Sequence, residues 1–169
     1  MKLKHFLFVA VLFSMSFSKL QAQNDVNNAQ AVFIYNFLSH VKWPDAEISE
    51  KYVVGIYGKT STLGYLKSYT MNRKVGNKPI EVISLTNPDD AKKCNVVFIA
   101  RSKSEEISKI NEITANRSCL TISEKSSTSE SGAVVDFHIT GDKLRYKLDE
   151  QSARKQNLFI SKALITMSL

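Results

Sequence analysis

Residues 31–44, AVFIYNFLSHVKWP, constrain the fold of this 169-residue chain more than any other stretch. Read as a helix at about 100° per residue, Ala31, Phe33, Ile34, Tyr35, Phe37, Leu38 and Val41 sweep an arc of roughly 200°. Asn36, Ser39 and His40 fall mainly on the opposite side. A surface helix needs an apolar stripe of only about 100°. This helix therefore requires burial on more than one side. Phe33, Phe37 and Val41 are expected against a sheet. Ala31, Leu38 and Tyr35 are expected against the C-terminal segment or a second copy, which makes a homodimer a candidate assembly. Asn27 or Asn28 is placed to cap the helix, with Gln30 close behind. Pro44 is placed to stop it, because proline disfavours helical geometry at Trp43.

The residues ahead of this helix have the make-up of a secretion signal. Lys2 and Lys4 precede an unbroken apolar run, Phe6–Phe13, and Leu20-Gln21-Ala22 ends in a small residue suited to cleavage. The run is shorter than the roughly 20 residues that span a bilayer. Cleavage after Ala22 leaves 169 − 22 = 147 residues, the size of one domain over residues 23–169. Removal of Lys2, Lys4 and Lys19 lowers the formal charge from +7 to +4. The remaining basic residues are scattered among acids, as in Lys92-Lys93 and Arg101–Glu106, so no nucleic-acid partner is expected.

Apolar runs alternate with helical patterns along the rest of the chain. Tyr52–Tyr57, YVVGIY, reads as a buried strand, and Gly58 turns into a short helix at Thr60–Thr70 with Leu63 and Leu66 inward. Arg73–Val75 and Pro79–Leu85 are extended around a Gly76-Asn77 turn. Asn87-Pro88-Asp89 starts a brief helical turn. Asn95–Ala100, NVVFIA, reads as a central strand. Ser104–Asn116 carries Ile107, Ile110 and Ile113 at helical spacing, with Glu105 and Glu106 at its start. Cys119–Ile122 is a further strand, and Glu124–Ser131 a polar loop. Ala133–Ile139 and Lys143–Leu148 form a hairpin across Thr140-Gly141-Asp142. A helical piece at Asp149–Lys155 precedes an apolar segment, Leu158–Leu169, that includes a helix. This order predicts a Rossmann-like layered α/β domain: a mostly parallel sheet, an antiparallel C-terminal hairpin, and helices on both faces.

Catalytic machinery is not legible. The two histidines beyond the leader, His40 and His138, read as a helix-end cation and a strand-face residue, and neither has metal-ligand spacing. There is no nucleophile elbow, phosphate-binding glycine loop or paired-carboxylate motif, and no cofactor is expected. Loops at the C-terminal ends of parallel strands commonly contact ligands. That places a candidate pocket at Arg101, Ser102, Ser123 and Glu124, near Gly58. Cys94 and Cys119 each precede a strand. If those strands are parallel neighbours, both thiols lie at one sheet edge, and a disulfide would close a loop of about 25 residues worth roughly 3 kcal/mol.

Several segments, in order, resemble the YfiR-like (HmsC-like) family of exported regulators. They are Tyr35-Asn36-Phe37 with Val41-Lys42-Trp43-Pro44, then Val75–Val82, then Cys94–Ile99, then Leu120–Glu124 ahead of Gly132 and Phe137, and finally Leu158–Lys162 with Leu164. The resemblance spans almost the whole of residues 23–169. It implies a non-enzymatic periplasmic repressor that binds an inner-membrane diguanylate cyclase, controls cyclic di-GMP and biofilm formation, and in some members is relieved by an outer-membrane lipoprotein. It makes Tyr35, Asn36, Phe37, Lys42, Trp43 and Pro44 signature or interface candidates. The alternative is a small-molecule sensor acting on another membrane protein, such as a histidine kinase. The cysteines depart from the family, whose members often pair the residue matching Cys94 with one on the first strand; here Gly55 stands in that neighbourhood.

Overall fold

The second and fifth strands set the plan of the molecule. In the computed structural model, which describes residues 25–44, 50–124, 131–141 and 143–169, β2 is Tyr52–Tyr57 and β5 is Val96–Ile99. Every residue of β5 is buried, as expected of a strand covered on both faces. The expected leader, Asp142 and most of the polar loop at Glu124–Ser131 lie outside the described residues.

The remaining elements follow in chain order. Residues 25–40 form α1, followed by β1 (Val41–Lys42) and β2. Next come α2 (Thr62–Thr70), β3 (Lys74–Val75), β4 (Lys78–Leu85), a 3-10 turn (Pro88–Lys93) and β5. A second 3-10 turn (Arg101–Glu106) leads into α3 (Ile107–Ile113), β6 (Leu120–Ser123), β7 (Val135–Thr140) and β8 (Lys143–Leu148). The chain continues through α4 (Glu150–Lys155), β9 (Phe159–Ile160) and α5 (Lys162–Met167).

Seven strands make one mixed sheet in the order β3-β4-β2-β5-β6-β7-β8. β4, β2, β5, β6 and β7 run parallel, while β3 and β8 are antiparallel to their neighbours. The period-two alternation of strands sorts side chains into two cores. Val54, Ile56, Val96, Phe98, Leu120, Ile122, Val135 and Phe137 face α1 and α2. Tyr57, Leu85, Val97 and Ile99 face α3 and the Pro88–Lys93 turn. Helices thus cover both faces, and the hairpin β7–β8 lies at one edge.

The first helix is buried on several sides, as its broad arc requires. Ala31, Ile34, Phe37 and Leu38 are fully buried. Phe33 and Phe37 enter an aromatic cluster with Phe98, Phe137 and Tyr146, with ring centroids 5.0–6.2 Å apart. Burying one such side chain contributes about 2–3 kcal/mol. On the other flank Tyr35 meets α2 and β3, while Ala31 and Leu38 share one core with Leu158 and Leu164 of the C-terminal segment. Tyr35 sits edge-on to Tyr69 at 5.6 Å, and its hydroxyl donates to the Lys74 carbonyl at 3.3 Å.

Both expected ends of this helix need correction. Asn27 lies inside α1, not at a cap, and its side chain is buried where its Oδ1 accepts from Thr62 Oγ1 at 3.3 Å. The helix stops at residue 40, ahead of Trp43, because β1 pairs antiparallel with β9: Val41 with Ile160 and Lys42 with Phe159. The helical stretch expected over Ser104–Asn116 is likewise shorter. It begins as the Arg101–Glu106 turn and ends as α3 at Ile113.

Candidate functional site

The four expected pocket residues lie at the C-terminal ends of β5 and β6, where Ile99 pairs with Ser123. They are brought together, and Glu124 is held there by bonds within the protein. The Glu124 carboxylate accepts from Gln30 Nε2 of α1 and from the Arg101 backbone N–H, both at 3.0 Å. Gln30 Oε1 accepts from Thr62 Oγ1 of α2 at 2.5 Å. Ser123 is fully buried. Gly58, in the left-handed region at φ 100°, lies so close to this loop that a Cβ there would meet Ser102 Oγ at 3.1 Å. Gln30, Thr62, Glu124 and the Arg101 backbone thus tie α1, α2 and the sheet end together.

A second cluster beside them escaped the sequence reading. Tyr57 hydroxyl donates to Glu106, and Lys103 Nζ pairs with the same carboxylate at 2.6 Å and lies 5.2 Å from the Tyr57 ring centroid. The bonds from Lys103 and Tyr57 hold the Glu106 carboxyl below the usual range. Burial, then the Glu106 charge, pushes the Tyr57 hydroxyl up. Nothing in the spacing of a strand tyrosine and a loop glutamate 49 residues apart signals this contact.

Cys94 and Cys119 precede the parallel neighbours β5 and β6, as expected, and both are buried. They are thiols, and no bond joins them. The reason is directional. Cys94 Sγ leans away from β6 toward β2, 2.7 Å from the point where a Cβ on Gly55 would stand, and reaches the Asp90 carbonyl at 3.7 Å. Burial, then the charge of Asp90, pushes the Cys94 thiol up to about 12.

The remaining candidates divide between α1 and the β1–β9 ribbon. Tyr35 and the half-buried Asn36 lie along α1, and Phe37 lies in the aromatic cluster. Lys42 is exposed, while Trp43 behind it is only 5% exposed and packs edge-on against Tyr52 at 5.6 Å. The Trp43 indole N–H is buried with no hydrogen-bond partner among the described residues. Pro44 is half-buried. Directly opposite Lys42 stands Phe159, a large aromatic left 66% exposed. Beside it a cavity of about 150 Å³ is lined by Glu150, Ala153, Arg154, Leu158, Phe159 and Ile160. The ribbon is anchored where Ser161 N–H donates to the His40 carbonyl at 3.2 Å. It presents the Phe159 ring opposite the exposed Lys42 and beside Arg154, which is paired with Glu150 at 3.6 Å. The sequence reading passed over Phe159 because the run Leu158-Phe159-Ile160 is apolar throughout and has no periodicity to mark the residue that turns outward.

Two segments far apart in the chain, residues 41–42 and 159–160, therefore form one surface on a mixed α/β domain. The match to known families covers both segments. Residues 27–168 match the YfiR/HmsC-like family model, and the chain belongs to that family. No curated protein matches the chain. Among the described residues, no helix is long and apolar enough to cross a membrane, and no group of three or more His, Cys, Asp or Glu is placed to hold a metal ion.

Proposed function

We propose that this protein is an exported, non-enzymatic regulator that binds the periplasmic part of an inner-membrane diguanylate cyclase and holds it inactive. Family membership over residues 27–168 is the observation that carries this reading. Binding favours one state of the cyclase, and an outer-membrane lipoprotein that captures the regulator releases it. The leader at residues 1–22 delivers the chain to the periplasm. The contact surface we assign is the β1–β9 ribbon, where Phe159 supplies the apolar anchor and Lys42, directly opposite, an exposed positive charge. An apolar hollow with a carboxylate set to meet Lys42 is the matching partner surface.

The alternative reading, a small-molecule sensor with a pocket at Arg101, Ser102, Ser123 and Glu124, requires a ligand to displace the bonds that Gln30 and Arg101 make to Glu124. No observation at that site favours it.

Crosslinking in intact cells, followed by identification of the captured protein, tests the proposal. A membrane diguanylate cyclase is the expected capture. Phe159→Ala should weaken its binding by roughly 30-fold, the effect of losing an aromatic anchor worth about 2 kcal/mol. Cyclic di-GMP levels that do not change when the gene is deleted would overturn the cyclase assignment.

A further inference from the structure

We infer that the corner where α2 meets the β3–β4 hairpin docks this protein on an anionic phospholipid surface. Residues 51–80 hold no Asp or Glu. Among them Lys67, Arg73, Lys74 and Lys78 fall within twelve residues of sequence. Their four charges equal the whole formal charge of residues 23–169, +4, so the rest of those residues sums to zero. The fold keeps these cations together. Met71 continues the helical backbone at the end of α2, so Lys67 and Met71 stand one turn apart on one face. Arg73 N–H donates to the Thr70 carbonyl at 3.0 Å, which turns the chain straight from α2 into β3. β3 then doubles back on β4 at Gly76-Asn77, with Lys74 opposite Pro79 and Val75 opposite Lys78. Lys67, Arg73 and Lys74 are exposed and form no ion pair among the described residues. Glu81, the first carboxylate along β4, is engaged by Lys51 at 2.9 Å.

Charge alone would mark only a solvated face, but here it surrounds an apolar group and is firmly mounted. Met71 is 75% exposed, the most exposed large apolar side chain among the described residues. Arg73 Nε donates to the Tyr69 carbonyl at 2.9 Å, and the guanidinium lies 4.2 Å from the Tyr69 ring centroid and 5.5 Å from that of Tyr35. The Tyr35 hydroxyl in turn holds the Lys74 carbonyl. An apolar side chain ringed by cations and backed by tyrosines is the make-up of an interfacial membrane contact. Each cation near an anionic leaflet strengthens binding about 5-fold. A protein interface needs a packed apolar centre of complementary shape. One flexible methionine among cations does not supply that, whereas a fluid lipid surface requires no matching shape. Such docking does not depend on which membrane protein is the partner.

Flotation of the purified protein with bare vesicles is the test. At low ionic strength the protein should rise with phosphatidylglycerol–phosphatidylethanolamine vesicles, stay behind with phosphatidylcholine vesicles, and come off the former as salt screens the charges. Lys67→Gln combined with Lys74→Gln removes two exposed cations while leaving the ties of Arg73 in place, and should lower the partition coefficient by roughly 25-fold. Lys109→Gln combined with Lys143→Gln, exposed cations on α3 and β8, should change it by no more than about 2-fold, because they lie away from the docked face. Met71→Ser should weaken binding by about 5-fold, an apolar loss that salt does not screen. A protein that stays behind with every vesicle would overturn the inference. So would equal binding to the two lipid mixtures, an equal loss in the two double variants, or a Met71→Ser protein that binds like the parent. Capture by immobilised polyglutamate without capture by vesicles would assign the corner to an acidic protein instead.

Discussion

Gly55 shows how much one missing side chain decides. It lies in the middle of β2, where a Cβ would stand 2.7 Å from Cys94 Sγ and 2.7 Å from Leu85 Cδ1. The absent methyl is the space into which the buried Cys94 thiol fits. Gly55→Ala should therefore cost about 1–3 kcal/mol through overpacking, despite alanine's better strand conformation. Urea unfolding of the variant measures this, and an unchanged midpoint would refute it. The resemblance to a known family already drew attention to this position, because relatives often carry a cysteine nearby. Sequence could not reveal that Cys94 points toward Gly55 and not toward Cys119. Strand adjacency was legible; the direction of a sulfur at a strand's start depends on which neighbour leaves room for it.

Among the elements, α4 is the clearest case of a helix held by its cap. It has only six residues, too few to be stable by propensity. Asp149 accepts from the backbone N–H of Gln151 at 2.9 Å and of Ser152 at 3.0 Å, and from the Ser152 hydroxyl at 2.7 Å. Burial alone would push its carboxyl up, but the bonds from Ser152 and Gln151 outweigh burial and hold it below the usual range. A carboxyl lowered by folding stabilises the fold above its ordinary value, about 3.9, and loses that contribution as pH falls through the lower folded value. Asp149→Ala should therefore cost about 1 kcal/mol near neutral pH, with the difference from the parent shrinking in acid. Denaturation at the two pH values checks both the size and the trend. Strands were well marked in the sequence: Tyr52–Tyr57 and Lys143–Leu148 have the bounds that their patterns predict. The end of α1 was not. Val41 continues the helical apolar arc, yet its backbone is claimed by Ile160, a partner that no local pattern announces.

At the scale of the molecule, the aromatic cluster holds α1 to the sheet. Phe37 touches rings from β7 and β8 at once, and its neighbour Phe33 does the same. Phe37→Ala should cost about 3–5 kcal/mol, a large share of the 5–15 kcal/mol typical of a domain. Thermal unfolding should show the variant melting well below the parent, and a small shift would mean that α1 is held mainly by its polar ties to α2 and Glu124. Layering and burial of the strands followed from apolar runs and turn residues. The polar ties at the strand ends did not, because the bonds among Gln30, Thr62, Arg101 and Glu124 join α1, α2 and the sheet end, and such pairings are set only when the chain has folded. The ribbon has a consequence in time. Its two strands come from residues 41–42 and 159–160, so during synthesis nearly the whole domain must emerge before it can close. A partner that reads Phe159 beside Lys42 therefore ignores nascent and truncated chains and recognises only a finished molecule.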